Sequence, residues 1–137
     1  MMVLTALVWL ISFIRRAIFL QSEKIDMEDL RLPEQRERIL PPAVAAPGHN
    51  YMNLFEMPVL FYALCLYLMM QGEIAHFYMQ AAWAFVVLRV LHSIVQCTYN
   101  RVLHRFLVYF LSSLILWSML GRAIWEFCAN PDILPVR

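Results

Sequence analysis

Polar and ionisable residues recur at helical spacing inside segments that are otherwise apolar. Arg89, His92, Gln96 and Tyr99 fall at i, i+3, i+7 and i+10, forming one polar stripe. Arg101, Arg105 and Tyr109 follow four apart, again on one face. Asn53 and Glu56 are three apart and open an earlier apolar stretch. An ionisable side chain at the centre of a membrane helix costs roughly 2.5–3.5 kcal/mol on insertion scales. Several in one small chain imply partners or a ligand. A guanidinium and a phenol one turn apart suit an anion or a thiolate: both donate hydrogen bonds, and neither is a good base near neutral pH.

Each cluster also has a plainer explanation. Glu56 can be an interfacial carboxylate favoured by a helix N-terminus. His92 alone would be an ordinary interhelical hydrogen bonder. Positive-inside anchoring with an interfacial tyrosine accounts well for Arg101, less well for Arg105, and poorly for Tyr109 one turn deeper. Four polar groups in line, headed by Arg89, favour a lined cavity. Glu56 is the expected counter-ion of Arg89 if their helices pack antiparallel.

These residues need helices to hold them. The chain has 137 residues, 62% hydrophobic and 15% charged, with net charge +1. Its mean hydropathy is +0.61. Soluble domains run at about 45–50% apolar and roughly 25% charged, so we read one integral membrane domain, an all-α bundle, over residues 1–137. Nothing in the charge points to nucleic acid. Cys65, Cys97 and Cys128 show no metal-ligand spacing and are expected to be buried free thiols.

Four spans are expected at about 1–20, 51–70, 74–98 and 102–128. Each is close to the ~20 residues that cross a ~30 Å hydrocarbon core. The first lacks a basic n-region and a small-residue cleavage site, so we read it as a retained helix. Residues 21–50 mix acids and bases and then run through Leu40-Pro41-Pro42 to Pro47-Gly48, predicting a water-exposed connection with a short helix before the prolines. Gln71-Gly72 is too short a link for anything but antiparallel neighbours. Ala129-Asn130-Pro131 ends the fourth span. Arginines and lysine cluster at the first and third connections, which places both in the cytoplasm and the termini on the other side of a bacterial inner or eukaryotic internal membrane. Arg122 and Glu126 are an i,i+4 pair near the opposite interface. The tryptophans and Tyr62, Tyr67 and Tyr78 are read as interfacial or lipid-facing.

Taken together, the short spans, the long first connection, Asn53-x-x-Glu56, Arg89-Val90-Leu91-His92 and the later Arg101, Arg105 and Tyr109 resemble the MAPEG family, membrane-associated proteins in eicosanoid and glutathione metabolism. The resemblance covers nearly the whole chain. Leu88 to Tyr109 is most similar to the microsomal prostaglandin E synthase and glutathione transferase branch. It implies a left-handed four-helix bundle assembled as a homotrimer, with glutathione between subunits toward the cytoplasmic side. By position, Asn53, Glu56, Arg89, His92 and Arg101 would hold the tripeptide. Arg105 would stabilise its thiolate, and Tyr109 would position the thiol or substrate. Arg15 or Arg16 would reach a glutathione carboxylate from across the interface. His49 stands where the family motif has arginine, four residues before Asn53, and joins the same set. Gln96 replaces a common tyrosine, and the Pro-rich connection is unlike the typical one.

The implied function is a transferase or peroxidase acting on a lipophilic electrophile from the bilayer. Two alternatives differ in class. A non-catalytic trimeric scaffold or regulatory protein would use the stripe only for interhelical bonds. A small transporter would need an acid deep within a span, for which Glu56 is the best candidate.

Overall fold

The computed structural model describes residues 1–72 and 75–129. The described residues form six α-helices and one short 3-10 turn, with no strand among them. Helix α1 is Met2–Glu23, α2 Pro33–Ile39, α3 Pro42–Asn53, α4 Met57–Met70, α5 His76–Cys97 and α6 Val102–Ala129. The 3-10 turn is Met27–Leu30, and Asp26 accepts a hydrogen bond from the Glu28 amide at its start. Four stretches are long and apolar enough to cross a membrane: Met2–Glu23, Pro42–Met70 (α3 with α4), His76–Cys97 and Val102–Ala129. The expected helix start at Ile74 and the terminator Asn130-Pro131 lie outside the described residues.

The second span starts at Pro42, well before Tyr51, so the Pro-rich stretch is not a connection. Proline is tolerated in the first turn, where the amide has no intrahelical partner, and Pro42 sits there. Pro47 is in the interior of α3, and its missing N–H leaves the Ala43 carbonyl without the usual donor. Arg15 Nη1 on α1 donates to that carbonyl at 3.1 Å. The same nitrogen donates at 3.0 Å to the carbonyl of Cys97, the last residue of α5, a cation at the negative end of a helix dipole. One side chain therefore offsets a proline defect and joins α1, α3 and α5. Arg15→Leu should lower unfolding free energy by about 2–3 kcal/mol, since hydrogen bonds to charged groups contribute about 1.5–3 each. Chemical or thermal unfolding in detergent measures this; an unchanged midpoint would refute the clamp.

The span then breaks at Leu54–Glu56. Pro58 explains this: it lacks the amide that would bond the Leu54 carbonyl, and it disfavours helical geometry at the residue before it. The helix resumes with Pro58 in its first turn.

Beyond the break, Phe61, Leu64 and Leu68 on α4 repeat at three and four residues. They meet Tyr78 and Phe85 on α5 and Leu116, Met119 and Ala123 on α6 in one buried cluster. Phe61 and Phe85 stack at 4.5 Å between ring centroids. Helix α5 packs most extensively on α6, and α1 on α3. Helix α1 buries only Val8, and Phe13, Ile18 and Trp9 point outward. Such faces suit lipid or another protein surface, because apolar exposure carries no penalty in hydrocarbon.

Trp9, Trp83, Trp117 and Trp125 are exposed as expected. Tyr78 is not: it is buried and donates to Glu126 Oε2 at 2.6 Å. Arg122 Nε donates to Glu126 Oε1 at 2.7 Å and its guanidinium lies over the Phe77 ring, so the expected i,i+4 pair also ties α6 to α5. All three cysteines are free, but only Cys97 is buried; Cys65 is half-buried and Cys128 exposed.

Candidate functional site

The helix break creates the site. The carbonyls at the end of α3 have lost their i+4 donors, and Arg89 on α5 takes one of them. Its Nη2 donates to the Asn53 carbonyl at 2.7 Å. Arg89 is 0% exposed. Its guanidinium sits over the Tyr109 ring of α6, 5.2 Å from the centroid, a cation–π contact. Its Nε and Nη1 are buried with no hydrogen-bond partner. Buried polar groups in folded proteins are nearly always paired, so two orphaned donors on one cation mark a position built for an acceptor.

The rest of the stripe continues from there. Gln96 Oε1 accepts from Asn53 Nδ2 at 3.1 Å and lies 2.8 Å from His92 Nε2. His92 Nδ1 faces the Arg105 carbonyl at 3.1 Å. The His92 ring lies 5.6 Å from that of Tyr109. Arg105 Nη1 in turn donates to Asn100 Oδ1 at 3.0 Å. Asn100 adopts φ 49° at the turn between α5 and α6, a left-handed conformation that Asn tolerates through local hydrogen bonding.

Asn53, Arg89, His92, Arg105 and Tyr109 are thus brought together on α3, α5 and α6, with Gln96 at the hub. The remaining candidates are more peripheral. Glu56 stands at the N-cap position of α4 within the break, exposed and without a side-chain cap bond. It forms no direct ion pair with Arg89, but it lies near enough to Arg89 and Tyr109 for its charge to act on both. Arg101 is exposed at the start of α6. Tyr99 leaves the stripe, 58% exposed, and pairs with His104 Nδ1 at 3.1 Å. Arg15 is committed to two backbone carbonyls of its own chain.

Arg16 and His49 share a different feature, a cavity of about 660 Å³ between α1, α2 and α3. Arg16 Nη2 lies 3.4 Å from where a Cβ on Gly48 would stand, and its Nε is buried without a partner. Asn100 lines this cavity as well, so it connects the cavity to Arg105 and through it to the network.

Sequence reading missed a second buried polar cluster beside the stripe. Asn50 is fully buried; its Nδ2 donates to Cys97 Sγ at 3.5 Å and its Oδ1 accepts from Ser93 Oγ at 3.4 Å. The signal was available, since Ser93 is one turn after Arg89 and Asn50 one turn before Asn53. No cluster of His, Cys, Asp or Glu among the described residues could hold a metal.

A model of the MAPEG family matches residues 1–125, and the chain belongs to that family. No curated protein and no solved structure matches it. The chain is an integral, multi-pass, all-α membrane protein. Its membership fits a glutathione-related membrane function in general terms.

Proposed function

We propose that this protein is a glutathione-dependent membrane transferase or peroxidase acting on a lipophilic electrophile. The observation that carries the reading is Arg89: fully buried, with two donors that have no hydrogen-bond partner. Glutathione has two carboxylates and two peptide carbonyls, and so offers acceptors to cationic donors of this kind. Arg16 Nε, also buried and unpaired, fits the same chemistry. When bound, the tripeptide supplies a thiolate nucleophile, so the protein need supply no covalent residue.

Within that frame the residues divide the work. Asn53, Arg89 and His92 hold the polar groups of the tripeptide, with Glu56, Arg101, Arg16 and His49 reading its charged ends. Arg105 stabilises the thiolate by opposite charge and hydrogen bonding. Tyr109, held under the Arg89 guanidinium, positions the thiol or the incoming electrophile. A homotrimer would close the site by setting the outward apolar face of α1 against a neighbour. The basic end with Arg101 and Arg105 then lies in the cytoplasm, where glutathione is abundant, and the electrophile enters from lipid.

A specific observation favours a second reading, a non-catalytic trimeric scaffold. Gln96, His92 and Asn53 satisfy one another internally, as structural hydrogen bonders would. One experiment separates the two: titrate glutathione into the purified protein and follow thermal unfolding, then measure turnover of a chromogenic electrophile. The enzyme reading expects stabilisation and turnover in the wild type, both reduced in Arg105→Ala. No shift at millimolar glutathione would leave the scaffold.

A further inference from the structure

Helix α6 begins with a cation at the end of the helix that disfavours one. Arg105 lies in the first turn of α6, and the positive end of a helix dipole repels a guanidinium. Arg101 stands four residues earlier, a spacing at which like charges destabilise a helix. No acid pairs with either: among the described residues the one ion pair is Arg122 with Glu126. The Arg105 side chain makes one hydrogen bond among those residues, from Nη1 to Asn100 Oδ1 at 3.0 Å. Its acceptor is a neutral amide.

Asn100 sits in the turn that joins α5 to α6. Its N–H closes α5 on the Val95 carbonyl at 2.8 Å, and its backbone takes the left-handed φ of 49°. The turn has a second fastening, Tyr99 Oη with His104 Nδ1 at 3.1 Å, which is independent of the Asn100 side chain. Aspartate tolerates the same backbone conformation. It would accept the same bond with a full charge, which strengthens it, and a negative charge is favoured where a helix begins. For stability alone, aspartate is the better residue at this position. An amide fixes the direction of the guanidinium and leaves its positive charge uncancelled. That arrangement is useful to an anion that arrives from outside the chain.

We propose that Asn100 is a positioning residue: it aims the Arg105 guanidinium through a neutral acceptor and so keeps its charge for the glutathione thiolate. The proposal rests on the glutathione reading above. Arg105 is then held at two points, by its carbonyl against His92 and by its Nη1 against Asn100. The turn between α5 and α6 thereby sets how strongly the bound thiol is acidified.

The test uses the full chain in detergent, Asn100→Asp and Asn100→Gly. Thiolate absorbance of bound glutathione is followed against pH, with calorimetry to show that the ligand is bound and a melting curve for each variant without ligand. Asn100→Asp should melt at or above the parent. It should nonetheless raise the midpoint pH of thiolate formation by about one unit or more, because an opposite charge beside an ionising group shifts it by about 1–3 units and the aspartate cancels that charge. Asn100→Gly adopts positive φ freely but offers no acceptor, so the midpoint should rise by a smaller amount. An unchanged midpoint in either variant would overturn the proposal while the glutathione reading stands. Asn100→Asp melting well below the parent would show that the amide serves only the turn, and would overturn it in the same way. A wild type that binds no glutathione, or binds it without a thiolate signal, removes the functional reading and this proposal with it.

Discussion

Arg89→Met should leave the protein as stable as the parent or more so, and should abolish its response to glutathione. Arg89 is the largest fully buried side chain among the described residues. It gains one hydrogen bond to the Asn53 carbonyl, a cation–π contact with Tyr109 and the through-space attraction of the exposed Glu56. Its Nε and Nη1 remain unsatisfied. Replacing a buried charge with an apolar side chain of similar volume is often neutral or stabilising by about 1–4 kcal/mol. The bilayer adds to this, because an arginine within a span is itself costly by roughly 2.5–3.5 kcal/mol on insertion scales. Ligand binding should change in the opposite direction. Losing one partner of a buried charged hydrogen bond costs about 2–5 kcal/mol, which is roughly 30-fold or more in Kd. Thermal unfolding with and without glutathione reads both effects in one experiment. A variant that melts well below the parent would make Arg89 a structural residue and remove the main support for the functional reading.

Arg105→Ala should lower kcat by about 10²–10³-fold, the usual effect of removing one donor from a developing or resident anion. Its effect on KM for glutathione should be smaller, because Asn53, Arg89 and His92 are untouched. The contribution of Arg105 to the fold is divided: its backbone carbonyl fixes His92, and its side chain reaches Asn100. The substitution keeps the first and loses the second, so the His92 network should survive. Arg105→Lys retains a charge without the planar fork and should recover part of the rate. A variant with unchanged kcat and a large rise in KM would place Arg105 among the binding residues and leave the thiolate to another group.

The stripe on α5 was legible because helical period alone puts Arg89, His92 and Gln96 on one face, and no competing constraint acts on a long uninterrupted helix. Tyr99 left that face because α5 stops at Cys97 and the chain turns through Asn100. Glu56 comes near Arg89 without pairing directly with it. A three-residue spacing means a shared face only within one helix, and the helix breaks between Asn53 and Glu56 just before Pro58. The start of the second span was obscured by composition. Three prolines close together, Pro41, Pro42 and Pro47, predict a loop, and a side chain remote in sequence, Arg15, makes Pro47 tolerable inside α3. A compensation of that kind lies in tertiary contact and leaves no local trace. The cavity shared by Arg16, Arg36 and His49 was hidden in the same way, since it depends on how the first connection folds back on α1 and α3. The family resemblance carried the general architecture through these errors, because four membrane-capable helices follow from apolar length alone.

The central claim is that this site binds glutathione and holds it as a thiolate. Ultraviolet difference absorbance on mixing purified protein with glutathione near neutral pH measures that species directly, since the thiolate absorbs where the thiol does not. We expect a saturable thiolate signal in the wild type, and a much smaller signal in Arg105→Ala at concentrations where calorimetry shows the ligand bound. Saturable binding with no thiolate signal in the wild type, or no binding at all, would contradict the account.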